Sequence, residues 1–173
     1  DAKDTQNATV IYSISEKKFY RSNDLKYKRW YGSIVRNGND EFIMLGGRSN
    51  VIGKPNVDGL GPSITPEVLS KTNCSNCKPF NKNAYIWKTL DGARSKDLFG
   101  DEDPLTPGMW NYPKSFLASN GNIFGISYNK LWELSTKNNG SIKQVGEIPL
   151  VKYGLNELIC DANRSPDEEC EIR

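Results

Sequence analysis

The feature that most constrains the fold of this chain is the alternation of short apolar runs with tight-turn residues. Runs rich in Ile, Val, Phe, Tyr and Trp recur along the sequence, and helical periodicity is scarce. Between several of these runs stand Asn37-Gly38-Asn39-Asp40, Asn120-Gly121 and Asn138-Asn139-Gly140, which tolerate the positive φ that tight hairpins need. The pattern predicts an all-β protein made of antiparallel hairpins.

The predicted strands are spaced along most of the chain and leave three irregular stretches. The strands are Thr9–Ser13, Lys18–Arg21, Gly32–Arg36, Glu41–Leu45, Tyr85–Thr89, Lys114–Ala118, Asn122–Ser127, Lys130–Leu134 and Ile142–Glu147. Residues 49–80 are dense in Gly and Pro, so we expect a loop insertion there rather than a run of strands. The other two irregular stretches are residues 91–110 and an acidic tail over residues 151–173.

Part of the sequence repeats with a period of 81 residues, the interval that places Tyr31 over Tyr112. In this gapless alignment each copy has an aromatic-led strand, an Asn-containing turn and an apolar strand. The pair Gly46-Gly47 occurs only in the first copy. Removing the predicted insertion brings the repeating unit close to the roughly 40–50 residues of a propeller blade.

The composition excludes several kinds of chemistry. The 173 residues include no histidine, so this chain alone cannot build a Ser-His, Cys-His or His-metal site, and no metal site is predicted in it. Its net charge of +2 does not favour nucleic acid or an anionic membrane as a partner. No apolar run approaches the roughly 20 residues that a membrane span requires.

The cysteine pattern favours an exported protein with disulfides. The four cysteines are Cys74, Cys77, Cys160 and Cys170. A zinc site would have to use all four, and the spacing of the second pair is wider than usual for zinc. The first pair lacks the βαβ context of a thioredoxin-like redox motif. Two disulfides are therefore expected. The pairing stays open, and zinc and free thiols remain the alternatives.

Sequons add support for secretion. Asn-x-Ser/Thr triplets begin at Asn7, Asn73, Asn139 and Asn163, and Pro166 directly after the last triplet disfavours it. We predict the first three positions as candidate N-glycosylation sites of a secreted or extracellular protein.

Three phrases carry a family resemblance: ATVIYSISEKKFYR, RWYGSIVRNGNDEFIMLGG and MWNYPKSFLASNGNIFGISYNKLWELSTKNNGSIKQVGEIP. They resemble the Kelch-type β-propellers of the galactose oxidase and glyoxal oxidase family, the copper radical oxidases. The resemblance covers about half of the chain. It implies two to three antiparallel propeller blades over residues 1–150, an incomplete set because a propeller closes with about four to eight blades.

The physical properties of the shared residues agree with blades. Gly46 and Gly47 would let the chain turn close to neighbouring backbone. Arg29 and Trp30 are expected to fill the space between sheets, as are Trp110 and Trp132 for the second unit.

The resemblance also implies a possible metal ligand. In the oxidases, the tyrosine of the second phrase is linked to an upstream cysteine through a thioether and ligates copper, and the matching residue here is Tyr31. No cysteine precedes Cys74 in this sequence, and the family's other ligands are one more tyrosine and two histidines. We therefore expect Tyr31 to be a ligand, and copper a cofactor, only if the chain is part of such an oxidase.

Three functions remain open from the sequence. The first is a secreted, non-catalytic interaction or structural protein on a galactose-oxidase-like propeller, completed by further blades or a partner chain and binding a protein or glycan. The second is a fragment of a copper radical oxidase that oxidises alcohols or aldehydes and releases hydrogen peroxide. The third is a small disulfide-containing β-effector.

Overall fold

The computed structural model describes residues 7–49, 61–73, 84–100 and 108–148. The strands are β1 (Val10–Ser13), β2 (Lys18–Arg21), β3 (Trp30–Arg36), β4 (Phe42–Arg48), β5 (Glu67–Lys71), β6 (Tyr85–Thr89), β7 (Lys114–Leu117), β8 (Ile123–Ser127), β9 (Lys130–Ser135) and β10 (Ser141–Glu147). A 3₁₀ turn at Asp91–Ala93 and a one-turn helix α1 (Lys96–Phe99) follow β6. No helix within these ranges is long and apolar enough to cross a membrane.

The strands form two four-stranded antiparallel sheets and a separate hairpin. The first blade has the order β3-β4-β5-β6, the second blade has β7-β8-β9-β10 in the same consecutive order, and β1 pairs with β2 alone. Two meanders of four strands in chain order are the arrangement of propeller blades, and the sheets of the described residues do not close into a ring. The predicted all-β, blade-like fold is confirmed.

The hairpin turns form where the sequence predicts them. In the first blade, the side-chain oxygen of Asn37 accepts hydrogen bonds from the backbone N–H groups of Asn39 (2.9 Å) and Glu41 (3.0 Å). In the second blade, Asn120 accepts from the N–H of Asn122 (3.0 Å). A short amide side chain that binds its own following backbone stabilises a tight turn, which explains why Asn occupies both turns.

The core lies between the two blades and includes the segment that joins them. Its members are Ile43, Leu45, Ile64, Val68, Leu90, Ala93, Leu98, Phe99, Ile123, Trp132 and Leu134. Trp132 is fully buried, meets Phe99 edge to face at 5.4 Å, and donates its indole N–H to Ser127 Oγ at 2.9 Å. Because its N–H is satisfied, the indole can be buried without leaving an unpaired donor.

Equivalent strands of the two blades bury alternate positions. Strand β4 buries Ile43 and Leu45, whereas β8 buries Ile123 and Gly125. The 81-residue alignment places Phe124 over Ile43, so the buried positions are shifted by one residue. Successive residues of a strand point to opposite faces. Each blade therefore contacts the other through a different face of its sheet.

One expectation about the strands is wrong. Residues 49–80 were expected to be an insertion without strands, but β5 lies at Glu67–Lys71, pairs with both β4 and β6, and completes the first blade. The strand is only five residues long and directly follows Pro66, so the Gly and Pro content of its surroundings obscured it. Residues 61–69 are all buried, which a surface loop would not be.

Other predicted features lie outside the described residues. These are the acidic tail over residues 151–173 and the cysteines Cys74, Cys77, Cys160 and Cys170. The expected disulfides and the domain boundary near residue 150 stay predictions.

Candidate functional site

The two blades meet where β3 begins and where the chain enters β7. The backbone N–H of Tyr112 donates to the carbonyl oxygen of Tyr31 at 2.9 Å. Beside it, the N–H of Gly47 donates to the carbonyl oxygen of Trp110 at 2.7 Å. The alignment of Tyr31 with Tyr112 thus corresponds to a physical junction, because the two equivalent tyrosines are hydrogen-bonded neighbours.

Three aromatic side chains, Trp30, Tyr31 and Tyr112, form an aromatic patch at this junction. The rings of Trp30 and Tyr31 are stacked with centroids 3.8 Å apart at an interplanar angle of 21°. The ring of Tyr112 lies 4.9 Å from that of Tyr31. The residues remain 39%, 37% and 48% exposed, respectively. Large aromatic surface that stays in solvent is uncommon enough to mark a candidate interaction site.

The expectation that Trp30 fills the space between the sheets is therefore wrong, whereas Trp110 and Trp132 are buried as predicted. The physical reason is the backbone of Tyr31, which has φ of +59°. A left-handed residue interrupts the alternation of side chains along a strand, so Trp30 and Tyr31 can stack on each other instead of pointing to opposite faces. The sequence gives no direct signal of this conformation.

Both tyrosines of the patch have strained backbones. Tyr112 has φ of +44°, in the same left-handed region as Tyr31. For a bulky side chain this conformation costs of order 1–3 kcal/mol and persists only where the surroundings hold it. The hydrogen bond from Tyr112 to Tyr31 is part of that support. Such strain is concentrated at functional positions in proteins.

A buried ion pair directly precedes the patch in sequence, because Arg29 is followed by Trp30. The side chains of Arg29 and Glu67 are 0% and 1% exposed, with Nη2 and Oε1 2.9 Å apart. The guanidinium also donates to the carbonyl oxygens of Gly46 (2.7 Å) and Thr65 (2.5 Å). Glu67 accepts from the N–H of Lys26 at 2.7 Å. Each charge is thus paired and hydrogen-bonded, which a buried ion requires. Arg29 was predicted to be buried; Glu67 was not singled out, because it lies in the interval expected to be a loop.

Gly46 and Gly47 hold the chain close to the second blade. Their φ angles are +57° and +75°, and a Cβ on Gly46 would lie 2.5 Å from the carbonyl oxygen of Trp110. The predicted close approach of backbone at these glycines is confirmed. Arg48 follows them and places its guanidinium carbon 5.0 Å from the centre of the Trp110 ring, within the range of a cation–π contact.

The three predicted glycosylation positions are not part of the aromatic patch, and their side chains differ in solvent exposure. Asn73 and Asn139 are exposed. Asn7 is half-buried and donates its side-chain N–H to the carbonyl oxygen of Leu25 at 2.8 Å. Glycosylation at all three positions stays a prediction.

The residues of the patch do not fit a copper site by themselves. Tyr31 and Tyr112 supply phenols, but the chain has no imidazole at all, and imidazole and thiolate are the usual protein ligands of copper. Within the described ranges no group of three His, Cys, Asp or Glu residues is placed to hold a metal ion. The ring of Tyr31 is also in contact with two aromatic neighbours, stacked on Trp30 and tilted against Tyr112.

Comparison with known proteins supports the fold alone. No protein-family profile matches the chain, and no curated protein matches it in sequence. Among solved structures, the chain is similar to a fungal alcohol oxidase of the AA5 family in complex with copper, with a TM-score of 0.55 and 16% sequence identity. The match covers 82% of this chain and 26% of the oxidase chain. The chain therefore spans about a quarter of the length of that structure and shares its blade architecture.

Proposed function

We propose that this chain is part of a secreted, non-catalytic interaction protein built on a galactose-oxidase-like β-propeller, and that the aromatic patch binds a glycan. The observation that carries the proposal is the exposed aromatic patch of Trp30, Tyr31 and Tyr112 at the junction of two blades. The cysteines and sequons of the sequence support secretion, as argued above.

The patch has the physical properties of a carbohydrate platform. A sugar ring has an apolar face that packs on flat aromatic rings, while its hydroxyl groups need polar partners at the rim. The patch offers flat rings that are already stacked in place, so little side-chain entropy is lost on binding. The phenol groups of the two tyrosines supply donors and acceptors beside the rings.

The experiment is a titration of the purified protein with neutral hexasaccharides of glucose, mannose and galactose, followed by tryptophan fluorescence. We expect binding by at least one of them with a Kd of about 1 mM or tighter, that is about 4 kcal/mol or more. Trp30→Ala and Tyr112→Ala should each weaken binding at least about tenfold, the equivalent of about 1.4 kcal/mol. Phe19→Ala is the matched control, since Phe19 is also an exposed aromatic residue (73%) but lies on β2. Binding that tolerates both patch variants, or no binding at all, contradicts the proposal.

A second candidate function is that this chain forms part of a copper radical oxidase. Two observations favour it: Tyr31 lies in the phrase that resembles that family, and the fold is similar to that of a copper-containing alcohol oxidase. Because the chain supplies no imidazole, the other ligands would have to come from polypeptide outside it. After copper loading and dialysis we expect this chain to retain less than one copper per molecule and to produce no peroxide from alcohols. Stoichiometric copper that Tyr31→Phe abolishes, or a peptide map that shows Tyr31 covalently joined to a cysteine, would place the oxidase first.

A further inference from the structure

The β1–β2 hairpin lies against the outer part of the first blade. The indole N–H of Trp87 on β6 donates to Thr9 Oγ1 at 3.1 Å. The side-chain N–H of Asn23, just after β2, donates to the carbonyl oxygen of Tyr85 at 2.8 Å. These bonds fix the hairpin over β6, the last strand of the sheet order, and no described element covers the opposite side of the same sheet face.

The uncovered part of that face is an apolar groove of about 460 Å³. Strand β1 forms one wall, and the face of the first blade contributes Ile34, Phe42 and Met44. Ile34 is 58% exposed and Phe42 is 43% exposed. Both point away from the core between the blades, so neither is covered by the second blade. An apolar surface of this extent on the face of a sheet is a surface that another element packs against.

Strand β1 also has an unpaired edge that borders the groove. The N–H of Ser22 donates to the carbonyl oxygen of Thr9 at 3.0 Å, and Ile11 stands opposite Tyr20 in the antiparallel register. In an antiparallel strand the backbone N–H and C=O groups of successive residues point to opposite edges. Thr9 and Ile11 point to β2, so Val10 and Tyr12 direct their N–H and C=O groups to the other edge. Among the described strands none pairs with that edge. An open edge of this kind is a template for strand addition.

The strand order of the two four-stranded blades indicates which strands of a blade the β1–β2 hairpin represents. In each, the strands follow the chain order from the junction between the blades outward, from β3 to β6 and from β7 to β10. In the hairpin, β1 lies on the groove side and β2 beyond it. The hairpin is therefore equivalent to the third and fourth strands of a blade. Among the described residues no first and second strand accompany it, and the exposed apolar side chains of the uncovered face, Ile34 and Phe42, lie on β3 and β4.

We propose that an antiparallel strand pair, supplied by polypeptide N-terminal to β1 in the native chain, pairs with Val10 and Tyr12 and packs apolar side chains onto Ile34, Phe42 and Met44. This inference rests on the scaffold part of the proposed function, because it assigns the next blade of the same propeller. The added strand pair would contribute backbone hydrogen bonds to β1 and alternating apolar residues to the groove.

The test uses the native-length polypeptide with p-benzoylphenylalanine in place of Phe42. Irradiation should give an intrachain cross-link to residues that precede β1, at least about tenfold above that of the same probe at Ile14. Ile14 is the matched control because it is an exposed apolar residue (83%) in the β1–β2 turn, outside the groove. A cross-link to a second copy, to another protein or to residues after β10 overturns the proposal. A native chain no longer than 173 residues also overturns it.

Hydrogen exchange on the unmodified protein gives a second measurement that does not depend on a variant that folds. We expect the amides of Val10 and Tyr12 to exchange at least about 100-fold more slowly than those of the turn at residues 14–17. Exchange as fast as in the turn overturns the inference. Glycan titration and cross-linking report on different surfaces. If no saccharide binds but the cross-link forms, only the proposed function of the patch is rejected. If a saccharide binds but the cross-link does not form, only the added strand pair is rejected.

Discussion

The contact between Gly125 and Trp132 gives the sharpest prediction for stability. Gly125 on β8 stands opposite Trp132 on β9 in the register of the second blade. A Cβ at Gly125 would lie 2.1 Å from Cζ2 and 2.2 Å from Cη2 of the indole, against about 3.4–4.0 Å for an ordinary contact between carbon atoms. The ring would have to withdraw by more than about 1 Å to reach that separation.

The ring is enclosed by neighbouring side chains that restrict its movement. Trp132 is fully buried, packs against Phe99 and is held by its hydrogen bond to Ser127. Forced overpacking of a closed core costs typically 1–3 kcal/mol and occasionally more. We therefore expect Gly125→Ala to lower the free energy of unfolding by about 3 kcal/mol. For a domain of this size, that corresponds to a fall in Tm of about 6–12 °C.

Urea denaturation followed by tryptophan fluorescence measures the effect, and Gly146→Ala is the matched control. Gly146 is a strand glycine in the same sheet whose added Cβ would lie 3.4 Å from Leu131 Cδ1, an ordinary contact. Its substitution should change the free energy of unfolding by less than about 1 kcal/mol.

A double-mutant cycle tests the mechanism. Trp132→Leu removes the ring, so adding Gly125→Ala to it should cost less than Gly125→Ala alone by about 2 kcal/mol. Additive effects of the two substitutions, or a loss below about 1 kcal/mol for Gly125→Ala, would refute the steric reasoning.

Three further predictions concern charges and cysteines. Glu67→Gln removes the carboxylate that is paired with the buried guanidinium of Arg29 and should cost about 3–5 kcal/mol in urea denaturation. Asp40→Asn, which breaks the exposed pair with Arg36, should cost less than about 1 kcal/mol, and equal losses would contradict the role of burial. Hydrogen bonds from Asn122, Asn120 and Lys143 lower the pKa of Glu133 to about 2 from its ordinary 4.5. A folded-state pKa below the unfolded one stabilises the protein above about pH 4.5 and loses that contribution as the pH falls towards 2. The difference in Tm between the wild-type protein and Glu133→Gln should therefore shrink over that range, and a constant difference would argue against it. All four cysteines should be oxidised, so thiol labelling of the denatured, unreduced protein should find none free; stoichiometric zinc would contradict this.

The strands were predictable because two local signals coincide in them. Short runs of β-branched and aromatic residues are bounded by turns in which Asn37 and Asn120 bind the following backbone. Every strand predicted from this combination is present, with ends that differ by at most three residues. Strand β5 was missed because its neighbours signal a loop and because its position depends on pairing with β4 and β6, which no local pattern encodes.

The candidate site was less accessible to sequence reasoning. The motif and the repeat pointed to Tyr31 and placed it over Tyr112, but their contact comes from the packing of two blades. Trp30 was assigned to the core because large aromatic residues are usually buried. Its exposure depends on the left-handed backbone of Tyr31, a conformation that a bulky residue adopts only when tertiary contacts impose it. The partner of Arg29 is separated from it by 38 residues and was not recognisable from spacing.

The one-residue shift in buried positions between β4 and β8 restricts how blades of this type can associate. Each blade has two chemically different faces, and the contact between neighbours joins a face of one kind to a face of the other. Such an interface is heterologous, so it cannot form a two-fold dimer through like faces. Successive additions proceed in one rotational sense until the last face meets the first. In a ring built in this way the number of blades is set by the angle between neighbours, and a change in the bulk of the residues that pack between β4 and β8 would alter that angle at this interface.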